Sequence, residues 1–561
     1  MPTTEQVTTL QDFSLGLNTL VAPNRLDPRY TALHTNMWND DGAMAKRLGQ
    51  NRTSTTNTIL SRSWFGYSMY NAVFSGTENL IIYAAAGITN NFLMYTSDSI
   101  NVNGMYVSTA GTVTTAVASA AVVGVGTAFL TTARAGALFS VGSTVGIVLS
   151  VTNDTNLTLT GNFGALNAGS SYNILPGWAA TKRVSYTSQN SKVWICGNGN
   201  ASVYFDGSNA VYVDAFPQAA YSIVYKNYTF TANTVANPSR VAWSALKDPT
   251  TWPASNFVDV NPDDGFPIVG MVFDGQSIVI FKTNSAYKLT GDVFDPANPT
   301  YTLTKIFTPN DFNINSPKSF QLYGPTGYIM LGLKGFYSYD GGGAISKILD
   351  YDRVRAQFAA VGSFAWGNVP TVTAEPSAII VDGNYWLQVA NILSSISASD
   401  KEFTYVLDKS GAFWKWTQLG PAMISDFAYR VGVLYGVNSY SGGTPGLLQL
   451  NTGSTDGLTS AINGSFTTKV VEFPNQHRFG VAYVYFKKQA AGNLTFEYSI
   501  DEGSFTSNTI DMTTGTGTRV KSAPIIIGAA GRSIQFRFSN NTAAQPFEVY
   551  AIEFHHQELR R

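Results

Sequence analysis

The sequence predicts an all-β protein: a β-propeller of about seven blades, with a small β-domain inserted into it and a C-terminal β-sandwich. Three observations carry this expectation. Aromatic-rich hairpins recur along most of the chain, a stretch without lysine, glutamate or tryptophan interrupts them, and cleanly alternating strands follow the last of them.

The hairpins come first. An apolar strand, a polar or glycine-rich turn and an aromatic strand recur as "LIIYAAAGITNNFLMY" from Leu80, "VWICGNGNASVYF" from Val193 and "NYTFTANTVANPSRVAWSAL" from Asn227. They continue as "IVIFKTNSAYKL" from Ile278, "YIMLGLKGFYSY" from Tyr328, "TYVLDKSGAFWKW" from Thr404 and "LYGVNSYSGGTPGLLQL" from Leu434. Units of a few short strands at this spacing cannot bury both faces alone, but a closed ring of them can, which is the logic of a propeller. Asp-Gly pairs at Asp206-Gly207, Asp274-Gly275, Asp340-Gly341 and Asp382-Gly383 suit tight turns, because glycine takes a positive φ and aspartate tolerates one. Within "RVAWSALKDPTTW" (Arg240 to Trp252), the first half reads as a blade strand and the second as the turn leaving it, with Trp252 wedged between blades.

Residues 101–175 contain one arginine (Arg134), one aspartate (Asp154) and an alternating Val/Thr/Ala pattern, which marks an inserted β-domain. From 454 to 561, strands such as "VAYVYFKKQ", "NLTFEYSI" and "SIQFRFS" alternate as an antiparallel sandwich does. The expected organisation is therefore propeller over 1–100 and 176–453, insert over 101–175 and sandwich over 454–561, with the N-terminal segment adding a strand to the last blade to close the ring. The best short helix candidate is "DYDRVRAQFAAV", Asp350 to Val361.

Composition bounds function. The 561 residues carry a net charge of −1, and only 13% are charged, about half the usual share of roughly 25%. The long-range field that draws a protein onto nucleic acid or an anionic membrane is missing. The basic pairs Lys46-Arg47, Lys182-Arg183, Lys487-Lys488 and Arg560-Arg561 are scattered and read as solvated strand ends. The single Cys196, in the apolar run "VWIC", reads as a small core residue. No signal-peptide pattern opens the sequence, and the bland stretch from Ala116 is too short to span a bilayer, so synthesis in a cytoplasm without a membrane anchor is expected.

Candidate chemistry is sparse. His34, His477 and the adjacent His555-His556 lie far apart in sequence, and neighbours on a strand face opposite ways, so no metal site is expected. Nucleophile-elbow, phosphate-loop and zinc-protease motifs are missing. Paired carboxylates in "WNDDGA" (Trp38 to Ala43) and "NPDDGF" (Asn261 to Phe266) read as turns, with a weak calcium loop as the other possibility. "SIDEGSF", Ser499 to Phe505, resembles the Asp-box turn of sialidase propellers, but it occurs once, in the sandwich, and is a structural hairpin. Enzymatic activity, catalytic residues and cofactors are not expected.

The run "FSLGLNTLVAPNRLDPRYTALHTNMWNDDGAMAKRLG" (Phe13 to Gly49) resembles the opening of tail nozzle proteins of short-tailed bacteriophages, also called tail hub or tail tubular protein B. "PSRVAWSALKDPTTW", "DGFPIVGMVFDGQSIVIFKTNSAYKLTG" and "LTFEYSIDEGSF" resemble further stretches of that family, and the similarity spans most of the chain outside the insert. The resemblance implies a virion tail protein forming a homo-hexameric ring below portal and adaptor. Its partners would be the tail adaptor, tail tip, fibre or spike proteins, and genomic DNA in transit without sequence-specific binding. The other reading is a receptor- or glycan-binding tail component that uses the aromatic faces of the propeller, given 29 tyrosines and 10 tryptophans. A conduit that must not grip DNA would carry Asp, Glu, Ser, Thr and Asn in its lumen.

Overall fold

The computed structural model describes residues 4–18, 21–40, 42–48, 50–54, 65–85, 90–99, 101–163, 166–179, 184–292, 294, 300–314, 317–323, 327–332, 335–348, 376–390, 402–407, 413–417, 424–438, 446–456 and 461–559. Seven sheets, antiparallel except at the outer edge of one, form a seven-blade propeller. Each of the seven hairpins read from the sequence falls in a different blade. The helix candidate at Asp350–Val361 lies outside the described residues.

Blade 1 uses Phe65–Phe74, Thr77–Ala85 and Asn90–Thr96. Its outer edge is split between Asn103–Gly104 and Gly177–Ala179, both paired to Asn90–Thr96. Between them the chain makes a separate seven-stranded sheet from Thr112–Thr115 to Asn173–Leu175. Blades 2 to 5 are four-stranded meanders starting at Ser185–Gln189, Ala219–Tyr225, Ile268–Phe273 and Gln321–Tyr323. Blade 6 runs from Ser377–Val381 to Phe413–Thr417, and Gly16–Leu17 and Tyr30–Thr31 are added in parallel at its outer edge.

Blade 7 is made from both ends of the ring. Ile424–Arg430, Val433–Asn438 and Leu447–Leu450 take their fourth strand from Gln50–Ser54, with Leu450 opposite Gln50. The closing strand thus lies just after the segment expected to supply it. That segment mostly goes elsewhere: Gln6–Gln11, Leu33–Thr35, Met37–Asp40 and Ala43–Lys46 join the C-terminal sheet. The reason is apolar. Leu10, Phe13, Met37 and Met44 fill the same core as Phe479, Phe496, Phe536, Phe538 and Phe554 of the sandwich. Eleven strands in all hydrogen-bond into this one sheet.

The same core continues into the propeller through Trp386, Ile424, Phe427 and Leu448. Where propeller and sandwich meet, Arg47 makes a two-pronged ion pair with Asp456 at 2.9 and 2.6 Å, both side chains buried. Lys46 is buried too, its ammonium donating to Asn540 Oδ1, Thr542 O and Gln545 O. The expectation that Lys46-Arg47 is a solvated strand end is therefore corrected: both cations are internal because acceptors from the C-terminal segment surround them.

Blade-to-blade contact is aromatic. Trp243 is fully buried and its indole N–H donates to Phe294 O at 2.7 Å. Trp252 sits edge-on to Phe216 of the blade 2 cluster, ring centres 5.2 Å apart, and so wedges blade 3 against blade 2. Cys196 is buried in that cluster, and burial pushes its thiol up to about 12.

Removing one partner of a buried ion pair leaves an uncompensated charge, which costs roughly 3–5 kcal/mol, whereas an apolar pair of similar volume is often neutral. Arg47→Ala is expected to lower the Tm markedly, and Arg47→Met combined with Asp456→Leu to recover most of it, as read by differential scanning calorimetry.

Candidate functional site

The innermost strands of all seven blades line a central cavity of about 540 Å3. Its walls include Tyr70, Tyr186, Tyr221 and Tyr429, and Tyr70 stacks on Tyr186 with ring centres 5.4 Å apart. Burial pushes the Tyr186 phenol well above its ordinary range. Among the described residues, the ionisable acid and base side chains other than tyrosine on this lining are Lys318 and Asp426, and they pair with each other at 3.2 Å.

Asp426 is committed on every side. Its carboxylate accepts from the Met69 N–H of blade 1 (2.9 Å), the Ser377 hydroxyl of blade 6 (2.6 Å), the Phe427 N–H of its own strand (3.0 Å) and the Lys318 ammonium ahead of blade 5. A register shift between Ile424 and Asp426 turns this side chain towards the seam. Beside it, the Ser425 hydroxyl donates to Gly66 O, and Arg430 donates to Glu78 O and Ser99 Oγ of blade 1. Glycoside hydrolysis needs two carboxylates about 5–10 Å apart; among the described residues this cavity presents one, held in four hydrogen bonds.

A second cleft, about 480 Å3, lies between blade 6 and the C-terminal sheet, walled by Trp38, Trp386, Lys46, Lys487 and Glu548. Burial, then repulsion from Arg47, depresses the Lys46 ammonium to about 8. Lys487 pairs with Glu548 at 2.8 Å. The ammonium groups here are thus held by protein acceptors.

The acidic pair of "NPDDGF" resolves as a turn. Pro262–Asp264 is a single 3-10 turn, and Asp264 accepts from the fully buried Lys282, which also donates to Val260 O (2.9 Å) and Asn261 O (2.7 Å). Burial works against ionisation of Asp264, but hydrogen bonds from Lys282 and the Phe266 N–H hold it below the usual carboxylate range. Where a calcium ion would sit, the protein supplies its own cation. In "WNDDGA", Asn39 Oδ1 accepts the Gly42 N–H at 2.8 Å and Gly42 takes φ 84°; Asp41 lies outside the described residues.

In all four Asp-Gly turns the glycine takes a positive φ as expected, and in three of them the aspartate adds a further device. Asp206, Asp274 and Asp340 each accept backbone N–H groups two and three residues on, so the carboxylate organises the loop. Only Asp382-Gly383, with φ of 52° and 79°, forms the two-residue hairpin. Asp274 also accepts from Tyr339 of blade 5 at 3.1 Å. The Asp-box-like turn is structural as well: Asp501 Oδ1 takes the Arg532 and Ser533 N–H groups at 2.6 and 2.8 Å.

Histidines far apart in sequence do meet. His477 and His556 face each other with Nδ1 atoms 3.0 Å apart, while His555 points the other way, to Glu5 and Tyr483. Neighbour rules along one strand could not reveal this contact, because it depends on which strands pair. Among the described residues no group of three or more His, Cys, Asp or Glu is placed to hold a metal ion.

No family model and no curated protein matches the chain. Among solved structures it is similar to the computationally designed Ika8 protein at 9% identity, with 71% of this chain and 100% of that chain covered and a TM-score of 0.33. YCF48 bound to D1 peptide matches at 10% identity, covering 62% of this chain and 94% of that one, with a TM-score of 0.30. An exo-beta-1,3-galactanase from Phanerochaete chrysosporium matches at 10% identity over 90% and 100%, with a TM-score of 0.19. At these values none carries an argument about function.

Calcium is expected to leave the Tm unchanged, and Asp264→Asn to lower it, because the buried Lys282 ammonium keeps its acceptors but loses its counter-charge; thermal melts with calcium and with chelator check both. Asp426→Ala is expected to cost more, because it orphans groups in blades 1, 5 and 6 at once.

Proposed function

We propose that the chain is a structural subunit of a short-tailed phage tail, a nozzle or hub protein whose copies close a ring continuing the DNA-exit channel below portal and adaptor. One observation carries this reading: the residues on which the resemblance rests serve architecture. In the run Phe13–Gly49, Arg47 pairs with Asp456, Lys46 ties down the 540–545 segment, and the Asn36 side chain donates to Asn463 O at 2.8 Å. Gly16–Leu17 extends blade 6 while Met37–Asp40 extends the sandwich. The segment binds propeller and sandwich into one body, which is what a subunit under mechanical load needs.

Two further features support it. The carboxylate of the central cavity is spent on closing the propeller, so the reading is of a protein without catalysis. The insert also carries an uncharged outer face, with Val117 79% and Val125 71% exposed. Both of its charges are engaged: Arg134 with Asp214 of the propeller at 2.7 Å, and Asp154 with the Leu130 N–H at 3.1 Å. Charged groups are disfavoured in interface cores, so this face fits a neighbouring copy in the ring.

The ring itself would be a homo-hexamer in the virion tail, with adaptor above, tip, fibre or spike proteins below and DNA passing through. The tyrosine-lined central cavity favours a second reading, a glycan-binding tail component, which would bind sugar without forming a ring.

Native mass spectrometry with negative-stain averages, alone and with candidate adaptor, is expected to give a six-fold ring whose hole admits duplex DNA. A chain that stays monomeric with every adaptor tried overturns the conduit reading. Val123→Asp with Val125→Asp is expected to abolish the ring while leaving the monomer's Tm within about 0.5 kcal/mol of stability, as exposed positions allow.

A further inference from the structure

The strand Gln6–Gln11 is the edge of the C-terminal sheet, paired along its whole length with Glu548–Glu558, from Gln6 opposite His556 to Gln11 opposite Ala551. At one end of this pairing sits an unusual buried contact. His477 and His556 are 5% and 3% exposed, and their Nδ1 atoms lie 3.0 Å apart. His556 Nε2 continues the chain to the Thr8 hydroxyl of the edge strand at 2.9 Å. Phe473 covers both imidazoles, with ring centres 4.3 Å from His477 and 4.6 Å from His556.

The proton count of this contact is limited. Between two Nδ1 atoms only one can carry hydrogen, so at least one ring must keep its lone pair there. The pair is satisfied when neutral, and also when it holds one extra proton, with an imidazolium donating to its neighbour. A second proton sets N–H against N–H and charge against charge in a space closed by Phe473. We propose that the His477–His556 pair is an acid-sensitive latch that holds the N-terminal edge strand on the sheet at neutral pH and releases it on acidification.

The surroundings do not offset the second charge. Among the described residues, no carboxylate hydrogen-bonds to either ring. Of the groups on the elements packed here, Glu558 accepts from Asn475, Glu472 accepts from Asn24, and Asp501 is taken by the Arg532 and Ser533 amides. Arg478, next to His477, is a cation and would oppose further protonation. On the other face, His555 lies between Glu5 and Glu553 at 3.1 and 3.3 Å, and Glu553 also takes Lys521 at 2.9 Å. Burial, then the neighbouring His477 and His555, holds His556 below the usual histidine value.

The direction follows. A base whose folded-state value is depressed binds fewer protons folded than released, so the hold is complete above the ordinary value of about 6.5 and weakens as pH falls below it. One proton of difference shifts the opening equilibrium by roughly tenfold per pH unit. Opening would bare the backbone edge from Ala551 to His556, a row of unpaired N–H and C=O groups available to another strand.

The test is hydrogen exchange of the N-terminal peptide in the full chain at about pH 7.5 and about pH 5.5, values that bracket histidine titration, corrected for intrinsic exchange. The expected result is an opening equilibrium increased roughly tenfold at the lower pH, confined to the edge strand and its partner. His477→Gln with His556→Gln, whose amides can pair without titrating, is expected to remove that increase. Since the variant can misfold, the wild-type chain supplies a second readout: with four histidines, imidazole NMR resolves each titration. His556 is expected to titrate below the ordinary value. Protection that does not change with pH, or a His556 titration at the ordinary value, overturns the latch whether or not the chain forms a tail ring.

Discussion

Ring closure is the constraint on which this structure depends. A blade of four short strands leaves both faces apolar, and only a neighbour on each side can bury them. Six of the seven junctions join blades that follow one another along the chain. The seventh has to be made from parts hundreds of residues apart, and there the polar contacts concentrate. Gln50–Ser54 completes the sheet of blade 7, Asp426 gathers donors from blades 1, 5 and 6, and Ser425 and Arg430 bond to carbonyls of blade 1. The Asp426 carboxylate is thus committed to holding this last junction together.

The second requirement is that propeller and sandwich move together. One apolar core runs through both, and the N-terminal strands are shared between them. Arg47, Lys46 and Asn36 make sense only in that setting: each is a polar group carried into the joint and satisfied there by acceptors from the C-terminal segment or the last blade. A buried cation with its acceptors in place adds little net stability compared with an apolar pair, but it is intolerant of any other register. Polar groups at this joint thus define how the two bodies fit, while the phenylalanines supply most of the driving force.

Local pattern made much of this legible. The seven hairpins, the uncharged character of the insert and the alternation after residue 454 are all short-range signals, and each hairpin falls in its own blade. Trp252 could be read as a wedge because a turn tryptophan beside a blade strand has few other places to go. What stayed hidden depends on pairing between distant segments. Nothing local in "QVTTLQ" says that it pairs with "EVYAIEFHHQE" rather than with a blade. Lys46-Arg47 reads as a charged strand end until Asp456 and Asn540 arrive from elsewhere. His477 and His556 are separated by 79 positions and meet only because Val471–Lys487 and Glu548–Glu558 are neighbours in the sheet.

The same distinction explains why the functional sites were the least legible part. A catalytic motif is often recognisable because its residues are close in sequence or follow a fixed spacing. Here the short motifs that looked chemical, Asp-Asp-Gly and the Asp-box-like turn, hold loops in place: Asp264 by a buried lysine, Asp501 by two backbone amides. The contacts that join distant parts of the fold, Arg47–Asp456 and His477–His556 among them, are instead long-range, between single residues with no local signature. The buried ion pairs Arg47–Asp456 and Lys282–Asp264 likewise fix geometry at a joint and a turn that exist only once the chain has folded.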